Sequence, residues 1–166
     1  SAVRVGEREV PIGDLYFDVG GLRVGFEICE DAWAPIRPGA GLAAHGVDLI
    51  LCPSASHFAF GKHHVRERLV LEGSRAFGAS YVYANLVGNE AGRAIYDGGA
   101  MIAAQGRMLA AGPRLGFADH HVTSAVIDID AGRALQVRNA AFRPDLGDDA
   151  PPAVAVVVTS RTLDKA

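Results

Sequence analysis

The alternation of strand-forming and helix-forming stretches between residues 15 and 85 leaves this chain few folds to choose from. Leu15 to Phe17 and Leu22 to Ile28 are β-forming runs on either side of Gly20-Gly21, the pattern of a tight hairpin. Pro35, Pro38, Gly39 and Gly41 interrupt the chain before Leu42 to His45, which reads as the end of a helix closed by Gly46. Val47 to Cys52 follows as a short buried strand ended by Pro53. His63 to Phe77 carries Val65, Leu69 and Phe77 at helical spacing with Gly78 as a stop, and Ser80 to Asn85 is strand-like again. Strand, helix, strand, helix, strand predicts an α/β layered fold.

Three later stretches, Gly98 to Ala104, Arg107 to Ala110 and Thr123 to Ile129, have the look of antiparallel strands, so the predicted sheet is mixed. Past Asp130 the pattern fades. Arg138 to Pro152 is rich in Pro, Asp and Arg without a period, and Val154 to Val158 is an apolar run with strand propensity but no evident partner.

Composition narrows the functional classes. With 49% hydrophobic residues in 166, the chain can build one packed core. Its net charge of -3 comes from 16 basic and 19 acidic residues that are interspersed, which is no footprint for nucleic acid. No apolar run approaches the roughly 18 to 20 residues of a membrane span, and residues 1–30 lack the pattern of a signal peptide, so a cytoplasmic setting is expected. Cys29 and Cys52 are the only cysteines and form no metal-spaced cluster.

Cys29 is the residue with chemical potential. It follows directly on the predicted strand, in Glu27-Ile28-Cys29-Glu30-Asp31-Ala32-Trp33, where the chain turns away from the sheet. A nucleophilic thiol needs such a fixed, partly exposed place and a nearby group that favours the thiolate. Three carboxylates within two positions do not favour it, so they suit structure or the binding of an ammonium group instead. On the residues alone, a cysteine at a strand end is by default a small core residue. Cys52, inside an apolar run, fits that description.

Gly25-Phe26-Glu27-Ile28-Cys29-Glu30-Asp31-Ala32-Trp33 resembles the nucleophile segment of the nitrilase superfamily, in the form found in the glutaminase domains of glutamine-dependent NAD synthetases. Pro53 to Phe58 with Gly61-Lys62 and Arg66, then Ala84 to Glu90, then Tyr96 to Ile102, are similar to the family's later landmarks in the same order. The resemblance covers residues 11 to about 130. It implies part of a four-layer αββα sandwich with a mixed central sheet, with residues 1–135 as the C-terminal portion of the domain and 136–166 as an irregular tail or the start of a linker.

The chemistry implied is glutamine hydrolysis. Cys29 would attack the side-chain amide, release ammonia and leave a thioester for water to cleave. The Glu30 backbone N–H is the expected oxyanion donor. Its carboxylate, with Ser56 and Lys62, would hold the head group of glutamine, Lys62 pairing the α-carboxylate, and Trp33 would wall the pocket. Each has a plainer reading: Lys62 as a solvated side chain, Ser56 as a helix cap, Trp33 as core. His57, His63 and His64 lack a convergent acidic partner for a metal site. Asp97-Gly98-Gly99 reads as a turn.

The family sets a Glu and a Lys ahead of its cysteine, whereas the lysines here, Lys62 and Lys165, both follow Cys29. The chain is therefore expected to be the second half of the domain, short of its general base and its cation and with little or no glutaminase activity on its own. The missing N-terminal half and a synthetase domain would be its partners. Removal of half the sandwich leaves apolar surface and strand edges bare, so a homo-oligomer is expected. No cofactor is implied for the hydrolysis, and ATP with magnesium would belong to the synthetase domain alone. Two other readings stand beside this one: a nitrilase-family amidase for another small amide, and a non-catalytic assembly module.

Overall fold

Gly20 and Gly21, both at positive φ (60° and 82°), turn strand β3 (Tyr16–Val19) back on β4 (Leu22–Phe26), as the sequence predicts. The computed structural model describes residues 2–13, 15–138 and 154–156. Ahead of β3, β1 (Ala2–Val5) and β2 (Arg8–Pro11) form a separate exposed hairpin. After β4 come a short 3₁₀ helix (Cys29–Trp33), α1 (Pro38–Ala44), β5 (Leu49–Ser54), α2 (Lys62–Ala76) and β6 (Ser80–Asn85). A second small hairpin, β7 (Val87–Glu90) and β8 (Ala94–Asp97), precedes β9 (Ala100–Ala104) and β10 (Arg107–Ala111). The last elements described are α3 (Ile129–Arg138) and β11 (Val154–Val156).

Seven strands form one mixed sheet in the order β10-β9-β6-β5-β4-β3-β11. The centre is parallel: β4 beside β5, and β5 beside β6 through six residue pairs from Leu49↔Ser80 to Ser54↔Asn85. Strands β9 and β10 add antiparallel, as expected. Because β4, β5 and β6 point the same way, the loops that leave their carboxyl ends cluster, and that end of a parallel sheet is where α/β folds place ligands.

The core lies between the sheet and α2, and contains Val47, Ile50, Cys52, Val70, Tyr81, Met101 and Ala103. Alternation along β5 puts Ile50 and Cys52 into it and leaves Leu49 and Leu51 on the other face, half-buried. Phe26, Leu86 and Leu109 are exposed. Cys52 is buried in the core, as its apolar run predicts.

Several expectations are corrected. The face that α2 buries is Arg66, Val70, Gly73 and Ser74, while Val65 is exposed and Leu69 and Phe77 are half-buried. Apolar spacing misled because the packed face is built around an arginine that finds a carboxylate. Helix α1 (Pro38–Ala44) ends where Leu42 to His45 predicts, but it takes in Pro38, Gly39 and Gly41 rather than following them. Proline suits the first helical position, where no intrahelical N–H bond is lost, and Gly39 is needed because a Cβ there would press on the Phe77 ring and on Glu27 Oε1, 2.7 Å away.

Residues 123–128 pair with no strand among the described residues, and Ile129 opens a helix instead. Asp128 explains the switch: its Oδ1 accepts the Ala131 N–H at 2.9 Å, capping α3. That helix runs through the expected boundary at residue 135 as far as Arg138. It is tied to the sheet by Arg133, which donates to both oxygens of Asp48 at 2.8 Å and to Gly21 O at 2.7 Å, and by Gln136, which donates to Val47 O at 2.8 Å. Val154–Val156 finds a partner in β3, beside which it runs parallel. The stretch from Arg138 to Pro152 otherwise lies outside the described residues, as do Val157 and Val158.

Candidate active site

The end of β4 is held by Glu27, which is fully buried. Arg37 Nη2 donates to Oε2 at 2.6 Å and Arg37 Nε to Oε1 at 3.3 Å, while the Tyr81 hydroxyl reaches Oε2 at 2.6 Å and the Gly39 amide Oε1 at 2.7 Å. This carboxylate has no capacity left for a ligand. Asp31 is also occupied, since its Oδ2 accepts the Ile28 N–H at 2.8 Å and ties off the 3₁₀ helix. Of the three acidic residues around Cys29, two are structural, and Glu30 is exposed.

Between these two anchors the chain turns at Cys29, whose φ is 52°. A residue with a Cβ in the left-handed region is uncommon and costs on the order of 1–2 kcal/mol, so the turn is imposed by its surroundings. It lifts a half-exposed thiol out of the strand line. The Glu30 N–H lies in the first turn of the 3₁₀ helix, a position without an intrahelical acceptor. Below, Cys52 Sγ sits 3.5 Å from Ser54 Oγ, and burial pushes the Cys52 thiol up in pKa despite the opposing pull of that hydroxyl and of the Cys29 amide.

Lys62 enters from α2, whose start is set by Gly61 at φ 76°. Its Nζ lies 5.5 Å from the centre of the Trp33 ring, a cation–π contact that joins two of the predicted site residues. Burial, then the Arg66 guanidinium, draw the Lys62 ammonium below the usual lysine range; Asp97 and Cys29 act in the opposite sense. Trp33 closes the 3₁₀ helix that Cys29 opens, so the cation–π contact brings Lys62 to the segment that bears the thiol. The Tyr96 pKa is raised first by the hydrogen bond its hydroxyl donates to Glu90 Oε2 at 2.9 Å.

Ser56 is buried and caps no helix. Its Oγ accepts from Arg66 Nε at 3.2 Å, its carbonyl from Arg66 Nη2 at 2.9 Å and from Asn85 Nδ2 at 3.0 Å, and its N–H donates to Asn85 Oδ1 at 2.8 Å. Arg66 is paired in turn with Asp97, Nη1 to Oδ1 at 2.7 Å, and Arg114 holds the other oxygen of Asp97 at 2.7 and 3.0 Å. Burial alone would raise the Asp97 carboxyl, but the hydrogen bonds from Arg66 and Arg114 prevail and leave it below the usual carboxylate range.

Asp97 is thus more than a turn residue. Sequence reasoning missed it, and missed Arg66, Arg114 and Asn85 as members of one hydrogen-bonded network with Ser56, because each reaches it from a different element. The one available signal was a charged residue, Arg66, at a helix position three and four places from apolar ones. His63 and His64 lie 3.6 and 2.9 Å from Glu67, and among the described residues neither joins a cluster of three or more metal-ligating side chains.

Two cavities border these segments, one at the loop after β5 and one beside Ile28 and Asp31. One of 920 Å³ is lined by His57, Phe58, Ile95 and Tyr96 among others; one of 730 Å³, largely apolar, runs past Ile28, Asp31, Ile36 and Tyr16. Cys29 lines neither.

The sequence profile of the carbon-nitrogen hydrolase family matches residues 3–135. A putative glutamine-dependent NAD(+) synthetase of Schizosaccharomyces pombe is 35% identical over 146 residues, which is 88% of this chain and 20% of that protein. The structure of a glutamine-dependent NAD(+) synthetase from Cytophaga hutchinsonii superposes with a TM-score of 0.63 at 44% identity, over 72% of this chain and 19% of that one. A carbon-nitrogen hydrolase from Helicobacter pylori G27 shares the fold, with a TM-score of 0.67 at 20% identity over 82% of this chain and 50% of its own. The chain spans about one fifth of the length of the curated relatives it matches.

Proposed function

This chain belongs to the carbon-nitrogen hydrolase family, and on that footing we propose that it carries the nucleophile of a glutamine amidohydrolase serving a glutamine-dependent NAD synthetase. The observation that carries the reading is Cys29, held at φ 52° beyond β4 at the start of the 3₁₀ helix whose last residue, Trp33, meets the Lys62 ammonium. Attack of the Cys29 thiolate on the amide carbon forms a tetrahedral oxyanion that the Glu30 N–H can receive. Its collapse expels ammonia, the thiol proton having passed to the leaving nitrogen, and water then cleaves the thioester to glutamate.

Lys62 pairs the α-carboxylate of glutamine, Ser56 and the Glu30 carboxylate take its remaining polar groups, and Trp33 forms the wall against which Lys62 is set. Lys62 and Trp33 in contact, with Ser56 held nearby on the loop after β5, support this division of roles. The hydrolysis needs no cofactor; ATP and magnesium would serve the synthetase reaction.

The 166 residues by themselves turn over little glutamine, since their lysines, Lys62 and Lys165, both follow Cys29 and no cation from residues 1–28 matches the family's catalytic lysine. The exposed Phe26, Leu86 and Leu109 support a partner that covers that surface, either further residues of the kind the relatives possess or a second copy.

An electrophilic glutamine chloroketone tests the site. Saturable labelling of Cys29 but not Cys52, read by peptide mass spectrometry and competed by glutamine, is expected. Equal labelling of both cysteines, or none, would favour a non-catalytic assembly module, and competition by another small amide but not by glutamine would favour a different amidase.

A further inference from the structure

We propose that Arg66 is a positioning residue whose guanidinium, neutralised by Asp97, fixes the 55–58 loop so that Ser56 is presented to substrate at Cys29. The inference rests on the glutamine-hydrolase reading.

Arg66 is 1% exposed, on the buried face of α2 otherwise made by Val70, Gly73 and Ser74. Its four hydrogen bonds leave little freedom on either side: one to Ser56 Oγ (3.2 Å), one each to the carbonyls of Ser56 and His57 (both 2.9 Å), and one to Asp97 Oδ1 (2.7 Å). A planar fork can meet three oxygens of one loop at once, which a lysine cannot do. Asn85 closes the other side, bonding the Ser56 N–H and carbonyl and also Gly98 O at 3.2 Å. Ser56 therefore has its amide, its carbonyl and its hydroxyl all held, by α2 through Arg66 and by the end of β6 through Asn85.

Burying a charge pair is a poor way to gain stability, because desolvation offsets most of the attraction and apolar side chains of equal size do as well. What a buried fork does supply is a defined geometry. Asp97 ends β8, and Arg114 fastens the far oxygen of Asp97. The loop bearing Ser56 is thus registered against the β7–β8 hairpin, as the His57↔Tyr96 bridge also indicates, and Lys62, one helical turn before Arg66, reaches the Trp33 ring at the end of the helix that Cys29 opens.

The test compares two alkylation reactions in the purified protein. The glutamine chloroketone reports the pocket through its half-saturating concentration, and iodoacetamide reports the bare reactivity of Cys29. Arg66→Lys keeps a positive charge opposite Asp97 but loses the fork. It is expected to raise the half-saturating concentration at least tenfold, while the iodoacetamide rate stays within twofold. Adding Ser56→Ala to Arg66→Lys should weaken binding by less than a further twofold, since both act through one hydroxyl and its loop.

A wild-type half-saturating concentration in a folded Arg66→Lys protein would overturn the proposal, as would effects of the two substitutions that multiply. A parallel loss of iodoacetamide reactivity would mark Arg66 as a structural support only and overturn it too. If Arg66→Lys does not fold by circular dichroism, the double substitution Arg66→Gln with Asp97→Asn removes both buried charges together and is read by the same criteria. Absence of saturable labelling in the wild-type protein would instead sink the hydrolase reading, and this inference with it.

Discussion

Replacement of Glu27 by Gln changes one atom and tests whether the end of β4 is held as described. The carboxylate accepts four hydrogen bonds, two of them from Arg37, and every partner faces it as a donor. Glutamine can offer its carbonyl oxygen to the Gly39 N–H, which has no other role, but then its NH₂ must take the place of Oε2. There the Tyr81 hydroxyl can rotate to accept, whereas Arg37 Nη2 cannot. Loss of one partner from a buried ion pair costs about 3–5 kcal/mol. Because the Arg37 side chain is 13% exposed and can draw in water, the lower end applies, about 3 kcal/mol.

For a chain of this size that corresponds to a fall in Tm of roughly 6–12 °C. Thermal unfolding followed by circular dichroism measures it. Arg37→Met in the Glu27→Gln background should restore at least half of the loss, since the stranded charge is gone, although contacts of the guanidinium with Phe77 and Tyr81 and its bond to Leu69 O go with it. A drop of less than about 1 kcal/mol for Glu27→Gln, or no recovery in the double variant, would refute the ion-pair account.

Gly39→Ala should destabilise by about 1–3 kcal/mol despite the higher helix propensity of alanine, because its Cβ would meet Phe77 and Glu27; denaturant unfolding gives the value. Lys62→Met should raise the half-saturating concentration of the glutamine chloroketone about 10- to 100-fold, the worth of one charge-assisted hydrogen bond to a carboxylate. Cys29→Gly should be more stable than Cys29→Ala by about 1 kcal/mol, since only glycine accepts the positive φ without strain; equal melting temperatures would contradict the turn geometry. Burial, the neighbouring Cys52 and the bond to Glu27 all raise the Tyr81 pKa. Its contribution to stability is therefore complete below the ordinary tyrosine value of about 10 and is lost as pH rises beyond it, by up to about 1.4 kcal/mol per pH unit. Tyr81→Phe should flatten that alkaline decline in a pH series of unfolding curves, leaving the part that Tyr83 and Cys52, both also raised by burial, contribute.

Much of the fold and the centre of the site can be read locally. The Gly20-Gly21 hairpin, strand Ser80–Asn85 and the place of Cys29 just past a strand each follow from a few neighbouring residues whose preferences agree. Where local preference and packing diverge, the sequence misleads. Thr123 to Ile129 alternates like a strand, yet Asp128 caps a helix there. Val65 and Leu69 have the spacing of a core face, yet the core takes Arg66.

What residue types and their order determined is the layered α/β architecture with a thiol at the carboxyl end of its parallel strands, because backbone preference and apolar period act over a handful of residues. Which charges meet was decided by tertiary structure alone. Arg66 and Asp97 lie 31 positions apart, Arg114 and Asp97 17, and Arg133 and Asp48 85. No periodicity links such positions. A buried guanidinium accepts whatever carboxylate the sheet order brings within about 3 Å, and only the assembled sheet sets that distance.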